Sequence, residues 1–145
     1  MIIAERKFII SNSRQRIWEL ILKAALRFMP FERMKPISER SIQALLRVKI
    51  GFINLPLNVE VEIADISPPE SLATVLKAKC MGGLVCLNQR SIFTLRPINE
   101  VKTEVDCKIV EEGMSVLFRI FLLWWVKRYA RDTFNSIEAR LREWA

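Results

Sequence analysis

The residue types that most often perform acid–base or nucleophilic chemistry are scarce in this chain of 145 residues. It contains no histidine, which removes the commonest general base, the usual catalytic triads and most zinc sites. Four candidate acids or bases remain: Glu60, Glu62, Asp106 and Tyr129. The three carboxylates fall on the outward faces of predicted strands. We therefore expect a protein that is not an enzyme and that uses no cofactor.

The cysteines and glycines also match no familiar site. Cys80, Cys86 and Cys107 have no metal-motif spacing, and their number is odd. They are typical of buried, reduced thiols in a cytoplasmic protein, so no metal site is predicted. The four glycines have neither Rossmann nor P-loop spacing.

The basic residues are unevenly distributed. Residues 1–50 hold 11 basic and 4 acidic groups, residues 51–112 hold 6 and 9, and residues 113–145 hold 6 and 3. The net charge of +7 favours an anionic membrane surface or an acidic partner, and an ordinary solvated surface is the alternative. Nucleic acid is not an expected partner, because the aromatic residues lie in apolar runs and not between basic ones.

The first 40 residues predict one strand, one helix and a connection. Residues 2–10 read as a strand, and residues 11–13 offer N-cap side chains for a helix over residues 14–28. Pro30 ends that helix, and residues 29–37 form a connection with large apolar side chains.

The rest of the chain predicts five strands and a long helix. Alternation with a period of two marks residues 41–50, 55–64, 71–81, 84–96 and 101–110, and Gly82-Gly83 suits a tight reversal. Gly113 opens a helix that continues to about residue 142. Short turns predict an antiparallel sheet with one wet face, and the long helix must cover the dry one. The sequence thus predicts a single α+β domain over residues 1–145, in which the sheet wraps around the helix.

The order of short motifs along nearly the whole chain resembles the START-like helix-grip (SRPBCC) superfamily, and most closely the G-subunit family of carbon monoxide dehydrogenase. The motifs are Ile17-Trp18, residues 47–51, residues 59–63, residues 65–69, Gly82-Gly83, residues 95–97 and the terminal helix. The resemblance implies a hydrophobic cavity between sheet and helix that opens near the connection at residues 29–37.

In such a cavity, apolar side chains on the predicted inward faces would form the wall. The candidates are Met29, Phe31, Met34, Val59, Leu76, Phe93, Val105, Leu117, Ile120 and Trp124. Gln89, Ser91 and Thr103 lie on inward faces of adjacent strands and would orient a polar group of the ligand. The alternative is that the three polar side chains bond to one another or to water.

The start of the last helix is apolar nearly all round. Its apolar run, residues 114–126, spans 13 residues and includes Arg119, whereas a spanning helix needs about 20 apolar residues. The Trp124-Trp125 pair has three interpretations: cavity wall, interfacial anchor or homodimer contact. For contact with a membrane or a partner protein the candidates are Phe121, Trp125, Lys127 and Arg128.

These observations favour a protein that binds an apolar small molecule such as a lipid or quinone. We expect it in the cytoplasm or peripherally at the inner face of the membrane. One alternative is an accessory subunit that docks on a partner oxidoreductase through the apolar start of the last helix, without a ligand. A polyketide-cyclase-like enzyme is another.

Overall fold

The computed structural model describes residues 1–24, 32–50 and 52–144. Within these residues the chain forms seven strands and three helices. In chain order they are β1 (Ile2–Ile10), α1 (Arg14–Ala24), β2 (Glu32–Ser38), β3 (Ser41–Ile50), β4 (Ile53–Ser67), β5 (Ser71–Cys80), β6 (Val85–Asn99), β7 (Lys102–Met114), α2 (Val116–Phe121) and α3 (Leu123–Trp144). None of the helices in this part of the chain is long and apolar enough to cross a membrane.

The strands form one antiparallel sheet in the order β1-β7-β6-β5-β4-β3-β2. Consecutive strands from β2 to β7 are neighbours, which short turns allow, and β1 pairs with the far edge at β7. With the long C-terminal helix α3, this confirms the predicted α+β architecture.

Side chains on β3 to β7 alternate between an inner face, which α3 covers, and an outer face. Inner-face residues such as Val48, Val59 and Val105 are almost completely buried. Outer-face residues such as Glu60 and Lys77 are exposed. The alternation in the sequence therefore assigned the faces of these strands correctly.

Strand β2 was not predicted, because residues 29–37 read as a connection. It pairs with β3 at the sheet edge, and all seven of its residues are exposed. A strand without a buried face shows no alternation of apolar and polar residues. It also contains Pro36, which is tolerated only at edges because proline cannot donate a ladder hydrogen bond.

Helix α1 begins where the sequence predicts. The hydroxyl of Ser13 accepts a hydrogen bond from the Arg16 amide at 3.3 Å, which satisfies a free donor of the first turn. Ile17, Leu20 and Ile21 are buried. The predicted continuation over residues 25–28 lies outside the described residues.

The predicted single helix from Gly113 is corrected to a strand followed by two helices. β7 continues to Met114, and Ser115 then caps α2, its hydroxyl accepting from the Phe118 amide at 3.2 Å. Leu122 interrupts the helix with φ −120°, and α3 starts at the next residue. The capping hydroxyl favours a helix start at Val116 over one at Gly113.

Helix α3 crosses the inner face with one buried stripe and a polar edge that contacts β1. The stripe consists of Val126, Ala130, Phe134, Ile137 and Leu141. At the edge, Arg142 donates to the Ile9 carbonyl at 3.0 Å, and Arg6 bonds to Asn135 and lies 3.7 Å from Glu138. These contacts place the helix beside β1.

Candidate functional site

Three polar side chains lie on the inner face where the alternation predicts them. Gln89 and Ser91 on β6 are each 7% exposed, and Thr103 on β7 is fully buried. The hydroxyl of Thr103 donates to the carbonyl of Asn12 at 2.9 Å, so it ties β7 to the connection between β1 and α1. The hydroxyl of Thr103 therefore donates its hydrogen within the protein and has no donor left for a ligand.

Gln89 and Ser91 differ from Thr103 in their hydrogen bonding. Neither side chain bonds to another described residue, and both retain slight exposure. Their cross-strand neighbours on β5 are Leu76 and Thr74. They therefore offer an amide and a hydroxyl beside an apolar wall.

By residue type Tyr129 is a candidate acid or base, but the structure points to a role as a buried hydrogen-bond donor. Its hydroxyl is buried and has no hydrogen-bond partner among the described residues. Its ring stacks on that of Trp125, with centroids 5.0 Å apart.

The environment of Tyr129 keeps its phenol neutral. Burial raises the pKa of Tyr129 to about 12, so the phenol stays protonated at neutral pH and acts as a donor. The side chain of Thr133, one turn further along α3, offsets only part of this rise in pKa. No described residue, Thr133 included, forms a hydrogen bond of good geometry with the phenol oxygen.

Tyr129 lies on the flank of α3 that faces away from β1. Glu138 and Arg142 contact or neighbour β1, and helical geometry puts Trp125 and Tyr129 on the other side of the buried stripe. Two features of the sequence indicate this aromatic pair. Trp125 and Tyr129 are four residues apart, which places them on one side of a helix, and Tyr129 is the only tyrosine in the chain.

The predicted apolar wall is divided between the interior and the surface. Val59, Leu76 and Val105 are buried on the inner face, and Phe93 is partly buried against the same core. Met29 and Phe31 lie outside the described residues.

The other four predicted wall residues do not face the interior, which corrects the expectation for them. Met34, Leu117, Ile120 and Trp124 are exposed. Met34 lies in an irregularity of the edge strand β2. The apolar residues of α2 are divided between two sides of the helix, because Phe118 is buried in the core next to the stripe of α3, whereas Leu117 and Ile120 face outward.

The residues predicted for membrane or partner contact are also divided. Phe121, Lys127 and Arg128 are exposed, whereas Trp125 is partly buried against the core. The two tryptophans therefore have the reverse of their expected positions, with Trp124 on the surface and Trp125 inside.

The carboxylates and thiols offer little chemistry. Glu60, Glu62 and Asp106 lie on the outer face, as predicted. One oxygen of Asp106 is buried without a partner among the described residues, and the other lies 4.0 Å from Lys7 Nζ. Burial, and secondarily the Asp106 charge, raises the pKa of Cys107 to about 12, so its thiol is a poor nucleophile.

A depression of about 560 Å³ lies on the outer face of the sheet and was not predicted. Its walls come from β2 to β6 and carry Arg33, Lys35, Lys77 and Lys79 against one carboxylate, Glu60. Because the outer positions of these strands are exposed and polar, sequence periodicity treats them as solvated surface.

Comparison with known proteins relates the chain to others by structure. No protein-family model matches it, and no curated protein matches it in sequence. A conserved protein from Geobacillus kaustophilus has a TM-score of 0.73 at 16% identity, covering 96% of this chain and 94% of that one. A protein from Arthrobacter aurescens has a TM-score of 0.63 at 13% identity, covering 96% and 85%.

Norcoclaurine synthase from Thalictrum flavum, solved in complex with dopamine and hydroxybenzaldehyde, has a TM-score of 0.66 at 10% identity. The alignment covers 95% of this chain and 84% of that one. At such identities the comparison concerns the fold, and the fold that this chain shares with these proteins is the helix-grip fold.

Proposed function

We propose that this protein binds an apolar small molecule, such as a lipid or a quinone, between the inner face of the sheet and α3. The observation that carries the proposal is the buried hydroxyl of Tyr129, which has no partner among the described residues. A buried polar group without a hydrogen bond costs about 1–3 kcal/mol. A ligand with an acceptor oxygen would remove that cost.

Tyr129 and residues on the inner face of the sheet would together define the chemistry of such a ligand. Because the Tyr129 phenol remains protonated, the ligand must offer an acceptor such as a carbonyl or ether oxygen. Gln89 and Ser91 provide further polar positions, and Val59, Leu76 and Val105 provide an apolar wall. The solved complex of norcoclaurine synthase, in which small aromatic molecules are bound, supports small-molecule binding by this fold.

Binding without catalysis is part of the same proposal. The chain has no histidine, and raised pKa values keep both Tyr129 and Cys107 protonated at neutral pH. A general base needs a pKa near the working pH. These residues therefore support a carrier or sensor and not an enzyme.

Native mass spectrometry of the purified protein, followed by solvent extraction, tests this proposal. We expect a co-purified apolar molecule, or binding from a panel of lipids and quinones. Tyr129→Phe keeps the aromatic ring and removes the donor, so it should weaken binding of carbonyl ligands while hydrocarbon ligands bind unchanged. The proposal fails if nothing co-purifies and no member of the panel binds.

An alternative proposal is an accessory subunit that docks on a partner oxidoreductase without a ligand, and it rests on the resemblance of residues 47–51 and 65–69 to the G-subunit family of carbon monoxide dehydrogenase. It is tested by affinity purification from cells that express a carbon monoxide dehydrogenase. If this protein is recovered without the dehydrogenase, the proposal of an accessory subunit fails.

A further inference from the structure

One end of the molecule exposes apolar side chains that the core does not use. We call it the apolar end, and it lies where β5 turns into β6 and where β7 passes into α2. It consists of Met81, Leu84, Val116, Leu117, Ile120, Phe121 and Trp124. Val116 is 71% exposed and Ile120 is 63% exposed, so these side chains face solvent. Clustered exposed apolar residues mark an interaction surface.

Hydrogen bonds hold the two segments of the apolar end together. The Ser115 amide donates to the Cys86 carbonyl at 3.0 Å, and the Cys86 amide donates to the Ser115 hydroxyl at 3.1 Å. This pair links the start of β6, just after Leu84, to the residue before α2. The turn at residues 81–83 is shaped by Gly82 and Gly83, whose φ angles of 67° and 93° suit glycine. The apolar end is therefore preformed.

The outer-face depression, which we call the basic depression, is strongly positive. Arg33, Lys35, Lys77 and Lys79 form no ion pair with another described residue, whereas Glu60 is the one carboxylate in its walls. The formal charge of this group is +3. The amides of Asn58 and Asn88 add neutral donors. Four cations gathered without partners are complementary to an anionic group.

The sheet register gathers these charges from separate strands. One cross-strand row runs from Lys35 through Gln43 and Glu60 to Lys77 and Asn88. An irregularity between Glu32 and Lys35 sets Lys35, and not Met34, opposite Gln43. Arg33 in this irregularity has φ 51°, a left-handed conformation that costs a non-glycine residue free energy.

The basic depression and the apolar end share a border. Lys79 pairs with Cys86, the residue bonded to Ser115, and Asn88 pairs with Gly113 just before α2. Lys127 and Arg128 are exposed on α3, and Arg119 is exposed on α2, where it lies 3.6 Å from Glu111. An apolar surface bordered by cations is the pattern of peripheral binding to anionic lipids.

We propose that this end of the protein docks on an anionic phospholipid surface, with the apolar end among the acyl chains and the basic depression on the lipid phosphates. A second copy of the chain fits less well, because a symmetric contact would bring two basic depressions towards each other. The site is separate from the interior, so the proposal does not depend on the ligand proposed above.

Vesicle co-sedimentation tests the docking. The protein should bind vesicles of phosphatidylcholine with phosphatidylserine more tightly than vesicles of phosphatidylcholine alone, and less tightly as ionic strength rises. Lys77→Gln with Lys79→Gln should weaken binding about 25-fold, at about fivefold for each cation removed. Ile120→Asn should weaken it about tenfold through lost apolar contact.

The matched control removes two exposed cations elsewhere. Lys102 and Arg140 form no ion pair with another described residue and line neither surface. Lys102→Gln with Arg140→Gln should leave vesicle binding within twofold of the unchanged protein. All variants should have the same melting temperature as the unchanged protein, since every substituted side chain is exposed.

Several outcomes would overturn the proposal. One is equal binding by the lysine pair variant and the control pair, and another is equal binding to neutral and anionic vesicles. Tight binding of soluble glycerol phosphate without vesicle binding would assign the basic depression to a free phosphate. Sedimentation showing a dimer that Ile120→Asn dissociates, again without vesicle binding, would assign the apolar end to self-association. Capture of an acidic protein partner without vesicle binding would likewise reject the lipid.

Discussion

The ring of Tyr129 stacks on that of Trp125, with an angle of 15° between the planes, while its hydroxyl is buried without a described partner. The stacking holds the ring in place, so the hydroxyl cannot turn freely towards water. Such an arrangement stabilises the ring and leaves the oxygen unsatisfied. The stacking and the unsatisfied hydroxyl have opposite effects on the free energy of unfolding, and substitutions of Tyr129 can separate them.

Tyr129→Phe should raise the stability of the ligand-free protein. The substitution keeps the stacked ring and removes a buried donor whose desolvation costs about 1–3 kcal/mol. We expect the free energy of unfolding, from urea denaturation after delipidation, to rise by about 1 kcal/mol. Tyr129→Leu is the control, since it loses the stacking and should lower stability. A loss of stability in Tyr129→Phe would mean that the hydroxyl has a protein partner, and Thr133 would be the first candidate.

Thr103→Val should lower stability without changing ligand binding. The hydroxyl of Thr103 donates to the Asn12 carbonyl, and valine has nearly the same shape but no donor. The lost bond is worth about 1 kcal/mol, and the carbonyl is left with one partner fewer. Urea denaturation measures the change, and the mass-spectrometric assay measures the ligand. Reduced ligand occupancy at unchanged stability would instead place Thr103 in the site.

Ser115→Ala should lower the free energy of unfolding more than most substitutions at partly exposed positions do. The hydroxyl accepts from the amides of Phe118 and Cys86, so its loss removes a helix cap and a link to β6. An N-cap serine contributes about 1 kcal/mol, and the second bond adds about as much. Ser115→Thr retains the hydroxyl and should recover most of the stability. Equal melting temperatures of the alanine and threonine variants would contradict the capping role of the Ser115 hydroxyl.

The buried thiol of Cys107 should make stability fall at alkaline pH. Burial raises its pKa from 9.0 to about 12, so the unfolded chain releases this proton at a lower pH than the folded protein. The stabilising contribution is complete below pH 9 and is lost between pH 9 and 12. Cys107→Ala should show a shallower decline over this range in pH-dependent urea denaturation. Identical slopes would mean that the thiol is not protected.

Chemical labelling gives an independent check on the same cysteine. Cys107 is fully buried on the inner face, whereas Cys86 is partly exposed. Iodoacetamide should therefore modify Cys86 first, and Cys107 only after unfolding. Early labelling of Cys107 in the folded protein would contradict its burial.

Local patterns allowed most of the sheet to be predicted. Alternation in β3 to β7 assigned the inward residues Val59, Gln89 and Val105, because each strand buries one face and exposes the other. The same alternation does not reveal β2, since an edge strand that buries none of its residues has no apolar–polar pattern. Sequence patterns also extend the last helix back to Gly113, where the cap at Ser115 and the break at Leu122 decide the boundaries.

The candidate site was predictable only in part. Gln89, Ser91 and Thr103 were placed on the correct face, but sequence alone did not distinguish the bonded Thr103 from its neighbours. Their difference depends on the carbonyl of Asn12, which is distant in the chain. Trp124 and Trp125 have the reverse of their predicted positions, because the helix start is apolar nearly all round and its sequence does not mark which side faces the core.

The sequence by itself determined the fold class and the faces of the central strands, because these follow from periodicity within one element. Only the tertiary structure decided the isolation of the Tyr129 hydroxyl and the gathering of Lys35, Lys77 and Lys79 in one depression. Both depend on how separate elements align. Strand register and helix placement are set by packing across the whole core, which no local pattern records.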